Sequence, residues 1–315
     1  MKYDIITIGG AVVDAFVETD VLERKGKLSY PVDAKILVEG LVFTSGGGAT
    51  NTAVAFSKMG LKTGCASKIG DDNNGKMILG DLKKNKVEFL GRAGSEETGF
   101  SVILEGRDKG RTILQDKGAS ENLKFRDLVL SKLKTKWFYF SSSVGETLKT
   151  QKKLAVWASR RGIKIAYNPS SYLTKQGARK ISGILKYCDV LILNKEEATD
   201  LVGKKDLLRS LRKLGPKIVC VTDGVRGNVV YDGDNFYVSK TRKVKVVSRT
   251  GAGDAFASGF VAGLIKSGDV VKAVQIGSVN AEGVIGKRGA KNGLLSWRGA
   301  LKESRKVKVE RKRVA

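Results

Sequence analysis

Seven consecutive residues, Thr250-Gly251-Ala252-Gly253-Asp254-Ala255-Phe256, carry the sharpest chemical signal in the chain. They follow the strand-like run Val244–Val247 and open an apolar stretch of helical pattern that runs to about Ile265. Glycines at a helix start leave backbone N–H groups unobstructed, and the helix dipole adds partial positive charge there. Gly251, Ala252 and Gly253 therefore predict an anion hole, suited to a phosphate or to charge developing during phosphoryl transfer. Asp254 falls in the first turn of the same helix. A carboxylate beside an anion hole makes sense if it accepts a proton from an attacking hydroxyl. Taken alone, a helix whose first turn carries a merely stabilising Asp would read the same way. A dinucleotide fingerprint would need a third glycine where Phe256 stands, and no G-x-x-x-x-G-K-[ST] occurs, which excludes a P-loop NTPase.

A second glycine loop, Ser45-Gly46-Gly47-Gly48-Ala49-Thr50-Asn51, precedes another helical stretch. Closely spaced glycines let a ligand approach the backbone, and Asn51 offers both a donor and an acceptor to hydroxyls. Asp14, just beyond the first strand, is expected at the C-terminal edge of a parallel sheet, where ligands of such sheets bind. Asp14, Gly46, Gly47 and Asn51 together suggest a polyol-binding set, with two ordinary turns and a helix start as the plain alternative. Asn194-Lys195-Glu196-Glu197 follows the strand-like Val190–Leu193. Asn194 and Glu197, one turn apart, can share a face and hold a hydrated Mg²⁺ near nucleotide phosphates; a helix capping box predicts the same residue types. Thr222-Asp223-Gly224-Val225-Arg226-Gly227 is a strand running into a glycine turn. Its hydroxyl and open backbone at Thr222, Gly224 and Gly227 could contact phosphates, or could simply turn a hairpin to Asn228–Tyr231.

Composition narrows the chemistry further. Among 315 residues there is no His, so imidazole catalysis and imidazole metal ligation are absent. A metal would need oxygen ligands, which suits Mg²⁺ and not Zn²⁺. Cys65, Cys188 and Cys220 are odd in number and far apart, as expected of reduced, buried thiols rather than a disulfide frame. No apolar run approaches the roughly 20 residues of a membrane span, and the N-terminus enters a strand without a leader-like layout, so a cytoplasmic protein without membrane association is expected. The net charge of +26 would attract polyanions. Its basic residues are spread over the expected outer faces of helices, and the one dense block is the C-terminal stretch Arg305–Arg313. A solvated basic surface is the preferred account, with nucleic acid not an expected partner.

The elements that must position these groups alternate. Strand-like runs at Tyr3–Ile8, Thr63–Ile69, Trp137–Phe140, Ile163–Tyr167, Val190–Leu193 and Ile218–Thr222 are separated by helical stretches such as Ala49–Met59, Leu148–Arg161, Glu196–Val202 and Leu207–Leu214. That pattern predicts an α/β fold with a mainly parallel sheet covered on both faces. Two segments break the rhythm, about 15–43 and about 88–118. The second contains a hairpin pattern, Phe100–Leu104 and Arg111–Leu114 around a Glu105–Gly110 turn. Extra strands outside the core suggest a small separate sheet, and such a sheet over a site acts as a lid.

In their order and spacing, Gly46-Gly47-Gly48-Ala49-Thr50-Asn51, Asn194-x-x-Glu197, Thr222-x-Gly224-x-x-Gly227 and Gly251-Ala252-Gly253-Asp254 resemble the PfkB, or ribokinase-like, carbohydrate kinases over nearly the whole chain. The resemblance implies one kinase domain over 1–315, a three-layer α/β/α sandwich with a β-sheet lid inserted in it and a basic tail at 303–315. It implies Mg²⁺-dependent transfer of phosphate from ATP to an alcohol of a sugar or nucleoside. Carried onto this sequence, Asp254 would be the general base, and Gly251–Gly253 the anion hole. Asp14, Gly46, Gly47 and Asn51 would hold the acceptor. Asn194, Thr222, Gly224, Gly227, Asn280 and Gly289 would line the nucleotide site, with Asn280 facing the adenine. Asn194 and Glu197 would organise Mg²⁺ through water, and the lid could support a homodimer. Many members carry Asp-Thr-Thr where this chain has Ser248-Arg249-Thr250. The family's monovalent-cation site uses that Asp, so K⁺ activation is left open. Gly48 and Ser141-Ser142-Ser143 stand where ribokinases proper tend to have Lys and Glu, so ribose is not the favoured acceptor. A sugar phosphate, met by Arg107, Arg111 or Lys117, and a non-catalytic sugar- or nucleic-acid-binding protein on this fold are the alternatives.

Overall fold

The computed structural model describes residues 2–108 and 110–314, so Lys109 of the expected Glu105–Gly110 turn lies outside it. The first part of the chain runs β1 (Tyr3–Ile8), β2 (Val12–Glu18), β3 (Gly40–Gly46), α1 (Gly48–Lys58), β4 (Thr63–Ala66), β5 (Lys68–Gly70), α2 (Asn73–Lys84), β6 (Glu88–Phe89), β7 (Arg92–Gly94), β8 (Thr98–Glu105), β9 (Arg111–Gly118) and β10 (Thr135–Ser141). There follow α3 (Gly145–Ser159), β11 (Lys164–Asn168), α4 (Ser171–Thr174), α5 (Ala178–Leu185), β12 (Val190–Asn194), α6 (Lys195–Val202), α7 (Leu207–Lys213) and β13 (Ile218–Thr222). The chain ends with β14 (Asn228–Tyr231), β15 (Asn235–Ser239), α8 (Ala252–Ser267), α9 (Val270–Ile285), α10 (Trp297–Ser304) and β16 (Val309–Arg313).

Ten strands form one sheet in the order β16-β15-β14-β13-β12-β11-β10-β1-β4-β6. The strands from β13 to β6 pair in parallel, and β14, β15 and β16 continue the sheet antiparallel. Alternation along β10 makes the three layers. Phe138 and Phe140 pack with Leu148, Leu154 and Ile181 on one face. Trp137 and Tyr139 pack with Phe56, Phe256 and Phe260 on the other. Each such side chain, once fully buried, contributes about 1.5–3 kcal/mol, so both faces of the sheet are strongly held to their helices. The three cysteines are buried and free.

The second sheet has four strands, β3-β2-β8-β9, with β2 and β8 parallel and the other pairs antiparallel. Thr44, Asp14, Ser101 and Gln115 share one rung across all four strands, so their side chains line one face. The sheet draws on narrower stretches than the sequence pattern predicts. From the 88–118 segment, Glu88–Phe89 instead pairs with β4 at the edge of the main sheet, and Arg92–Gly94 pairs with β5.

Three further expectations need correcting. Thr63–Ile69 is two strands, interrupted at Ser67, whose hydroxyl turns inward to donate to Gly9 O at 2.6 Å. Val244–Val247 is not a strand but an extended connection, anchored by the Val247 N–H to Ile285 O at 2.8 Å at the end of α9. Alternating Lys and Val gives it a strand pattern, yet no neighbouring strand is there to pair with it. The basic C-terminal stretch is partly folded: β16 pairs with β15 from Val309 to Arg313 as an edge strand. Charged side chains on an edge discourage further strands from adding, a role open to Glu310, Arg311, Lys312 and Arg313.

Candidate active site

The two glycine loops meet. The first starts with Gly9 and Gly10, which carry the chain from β1 out to the small sheet, and β3 returns it through Gly46–Gly48 into α1. Gly47 has φ +94°, and a side-chain carbon on it would lie 2.5 Å from Gly10 O. One on Gly46 would collide with the Asp14 carboxylate, and one on Gly48 would lie 2.7 Å from Ser141 Cβ and 3.9 Å from Asp254 Oδ1. Glycine is required here by close approach from three sides. The second loop caps α8. Gly251 has φ +79°, and a side-chain carbon on it would lie 2.5 Å from Ala290 Cα. The Gly289-Ala290 turn is thus the wall against which this helix start is set.

Asp254 joins the loops. Its Oδ2 accepts from Asn51 Nδ2 at 3.0 Å, across 203 positions of sequence. Part of its surface reaches solvent, yet protein surrounds the carboxyl, and burial pushes its pKa up to about 6. The Asn51 hydrogen bond opposes that shift, and the negative charge of Asp14 adds to it. The backbone N–H groups of Gly253 and Asp254 have no acceptor among the described residues, and nothing lies within 4 Å of where a Gly253 side chain would start. This is the open, positively polarised helix end that an oxyanion needs. Two buried polar atoms nearby, Asn51 Oδ1 and Ser141 Oγ, lack partners among the described residues. Buried polar groups are normally satisfied, so both suit hydroxyls of a ligand beside Asp254.

Asp14 lies within β2 of the small sheet, rather than in a loop after β1, and is only 7% exposed. Burial raises its pKa to about 6, while the Ser101 hydroxyl and the charge of Lys291 pull it down. Lys291 was not singled out by the sequence patterns. Its ammonium is held 2.6 Å from Asp81 Oδ2 and also donates to Ser45 Oγ, which in turn donates to Asp81 at 2.5 Å. Burial alone would raise Asp81, but the charge and hydrogen bond of Lys291, with the Ser45 hydroxyl, together hold the carboxyl below its usual range. A half-buried ion pair therefore clamps the turn behind Gly251 to α2 and to β3, next to Asp14. The available signal was its position directly after Gly289-Ala290.

A cavity of about 110 Å³ lies beside Gly47 and Gly48, lined by Gln115 and Lys117 of β9, Ser142, Ser143 and Tyr172 among others. Its one aromatic ring, Tyr172, is half exposed and has the Lys117 ammonium over one face, 4.9 Å from the ring centroid. Ser142 and Ser170 hydroxyls meet at 2.5 Å across it.

The remaining candidates sit at the C-terminal ends of β12 and β13, where Asn194 and Thr222 are register partners. Asn194 and Glu197 form a capping box: Asn194 Oδ1 accepts from Glu197 N, and Glu197 Oε2 from Asn194 N, both at 2.9 Å. Burial raises Glu197 to about 7, against the Asn194 N–H. Thr222 Oγ1 donates to Leu193 O at 3.4 Å. Gly224 is exposed with open space around it, whereas a side-chain carbon on Gly227 would lie 1.9 Å from Ser239 O, a packing requirement. Asn280 does not face a nucleotide. It is fully buried, donating to Ala255 O at 2.8 Å and accepting from Leu295 N at 3.0 Å. Both ends of its amide are consumed in fastening α9 to α8 and to the segment before α10. Asp14, Gly46, Gly47, Asn51, Gly251–Asp254 and Gly289 thus come together, and Asn194, Glu197, Thr222 and Gly224 form a second group along the same sheet edge.

A parallel sheet with ligand-type loops at its C-terminal edge, a glycine-capped helix start and a carboxylate whose proton affinity burial has raised is an arrangement suited to phosphoryl transfer. The profile of the pfkB family carbohydrate kinases matches residues 8–297, and the chain belongs to that family. It is 27% identical over 250 residues to an uncharacterized sugar kinase of Archaeoglobus fulgidus, covering 76% of this chain and 98% of that one. It is 26% identical over 300 residues to the ribokinase of Lactococcus lactis, covering 92% and 93% of the two chains. The adenosine kinase of Sinorhizobium meliloti superposes with a TM-score of 0.83 at 25% identity, over 96% of this chain and all of that one. The chain has the fold of these sugar and nucleoside kinases, and no described helix is long and apolar enough to cross a membrane.

Proposed function

We propose that this protein transfers the γ-phosphoryl group of ATP to a hydroxyl of a sugar, with Mg²⁺ present and Asp254 as the general base. The observation that carries the proposal is the Asn51–Asp254 hydrogen bond, which joins the glycine loop of α1 to the open helix end of α8. Asp254, with a pKa of about 6, is ionised at neutral pH yet basic enough to take a proton from a hydroxyl in the transition state. The free N–H groups of Gly253 and Asp254 support an anion hole for the phosphoryl oxygens. Asn51 Oδ1, Ser141 Oγ and the Asp14 row offer acceptor hydroxyls their hydrogen bonds, and the small sheet acts as a lid that excludes water.

A sugar is favoured over a nucleoside because the cavity beside Gly48 is small and most of the side chains lining it are polar. Thr222 and Gly224 would face the ATP phosphates. For Mg²⁺ the donors fit only a hydrated ion: no cluster of three or more His, Cys, Asp or Glu side chains exists among the described residues, and Glu197 is engaged in its capping box. Glu197 would therefore act through water, and the ion would neutralise phosphate charge. The test is ATP turnover against a panel of pentoses, hexoses, sugar phosphates and nucleosides, with K⁺ and choline salts compared. A sugar should stimulate ATP use most. Stimulation by nucleosides alone would refute the acceptor assignment, and no stimulation by any acceptor would refute the transfer itself.

A further inference from the structure

Lys291 stands where the two halves of the site are joined. It follows Ala290, whose Cα would lie 2.5 Å from a side-chain carbon on Gly251, so the turn that carries Lys291 is also the wall behind the start of α8. Its side chain reaches β3 and α2. The ammonium donates to Ser45 Oγ and, at 2.6 Å, to Asp81 Oδ2, with only 13% of the side chain exposed. Ser45 is buried, is the ladder partner of Val13 and directly precedes Gly46. A side-chain carbon on Gly46 would lie 1.9 Å from Asp14 Oδ2. One side chain thus ties the helix start at Gly251 to the strand that packs against Asp14.

An ion pair taken largely out of water contributes little net stability, because desolvation offsets the attraction. The charge at Lys291 is better explained by what it faces. Around it stand Asp81 of α2, Ser45 of β3, Asp14 of β2 and the Cys65 thiol of β4, which burial pushes up to about 11 and so keeps neutral. Burial draws the Lys291 pKa down, and Asp81 and Asp14 hold it up. Asp14 in turn faces the Ser101 hydroxyl of β8 and the carboxyl of Asp254, and Lys291 is the cation that acts on it. This inference rests on the reading of Asp14 as a ligand of the acceptor. We propose that Lys291 is a positioning residue: it fixes Gly46 and Asp14 relative to the glycine-capped start of α8, and its charge holds Asp14 as a carboxylate that orients the acceptor. An ionised Asp14 only accepts hydrogen bonds, so it receives acceptor hydroxyls in one sense. A protonated Asp14 also donates, and the acceptor loses that fixed orientation. Lys291 touches neither substrate and acts through Ser45, Gly46 and Asp14.

The experiment compares the full chain with Lys291→Met, Lys291→Arg and Asp81→Asn, at a temperature where urea unfolding shows each to be folded. It measures kcat and KM for the best acceptor across pH and, by calorimetry, the affinity for ATP. Lys291→Met should lose on the order of 10²-fold in kcat/KM for the acceptor, as a misplacement of about 1 Å does, while ATP affinity stays within about threefold. Its acid limb should move to higher pH, because Asp14 has lost its cation. Asp81→Asn breaks the same ion pair but leaves the ammonium in place, held by Ser45 and the Asn oxygen. Its kcat/KM should stay within about threefold of wild type, and its acid limb should move to lower pH, since a negative charge beside Lys291 has gone. Lys291→Arg should keep the limb in place and recover part of the rate. A merely structural clamp would be harmed alike by Lys291→Met and Asp81→Asn. Three results overturn the proposal: Lys291→Met with unimpaired acceptor kcat/KM, both variants shifting the limb in the same direction, or a loss confined to ATP affinity. A wild-type chain that transfers phosphate to nothing would overturn the phosphotransfer reading and this one with it; an active wild type with an unimpaired Lys291→Met overturns this one alone.

Discussion

Replacing Asp254 with Asn should make the protein both slower and more stable, and the size of the second effect follows from the site. The folded-state pKa of Asp254 stands near 6 against 3.8 in the unfolded chain, a rise of about 2 units, mainly from burial. At 1.36 kcal/mol per unit, keeping this carboxyl ionised in the fold costs about 3 kcal/mol. The folded state holds its proton more tightly, so stability falls as pH rises through 4 to 6, and the whole cost is present above about pH 7. Asn keeps the shape and can still accept from Asn51, without the charge. Urea titrations of the two proteins should therefore differ by about 2–3 kcal/mol in favour of the variant at pH 7.5, roughly 3–5 °C in Tm. The difference should shrink to nothing below about pH 3, where the carboxyl is protonated in both the folded and the unfolded chain. In the same preparation kcat should fall by roughly 10²–10⁴ while ATP binding persists. A variant less stable than wild type at pH 7.5, or a stability gap independent of pH, would refute the account of Asp254 as a charge held at an energetic cost for function.

Other expectations follow from the same geometry. The acid limb of kcat/KM should lie near pH 6 and steepen toward two protons, because Asp14 and Asp254 both titrate there, and Asp14→Asn should reduce it to one; a profile flat from about pH 5 to 7 would contradict this. Lys291→Met should cost about 1–2 kcal/mol in urea unfolding, leaving half-buried Asp81 without its partner, and Lys291→Arg should recover part of it. Deleting residues 309–315 should lower Tm by uncovering β15, and the salt slope of RNA retention on a column should be unchanged, since β16 is sheet edge and not a polyanion arm. Leu41, Phe43 and Leu114 share an exposed face of the small sheet, so light scattering should give a homodimer that Phe43→Lys with Leu114→Lys converts to monomer.

Much of this molecule is legible in local patterns because its elements obey local physics. The parallel strands are continuous apolar runs, as strands covered on both faces must be. Helix α1 ends where Gly60 supplies φ +76°, with Leu61 N–H returning to Phe56 O at 3.1 Å, the cap its sequence announces. Less legible were contacts made at a distance. Val244–Val247 has the composition of a strand and no partner to pair with. Asn280 has the polarity of a ligand group, and only the packing of α8 against α9 reveals that both ends of its amide are spent inside. Lys291 looks like one more basic residue among 58 until the fold sets it against Asp81, and Arg111, a sequence candidate for a sugar phosphate, is set by the fold against Thr250.

By itself the sequence determined the kind of chemistry. A chain with no histidine and two glycine-loop helix starts, one carrying Asp254, can bind phosphate and deprotonate a hydroxyl, because backbone N–H groups and a carboxylate are local properties of those residues. Only the tertiary structure decided which residues share the site. Asn51 reaches Asp254, Asp14 gains a raised pKa and Arg111 meets Thr250 because the sheet order brings together segments far apart in sequence. The depth of burial that tunes those carboxyls exists only once the layers have closed over them.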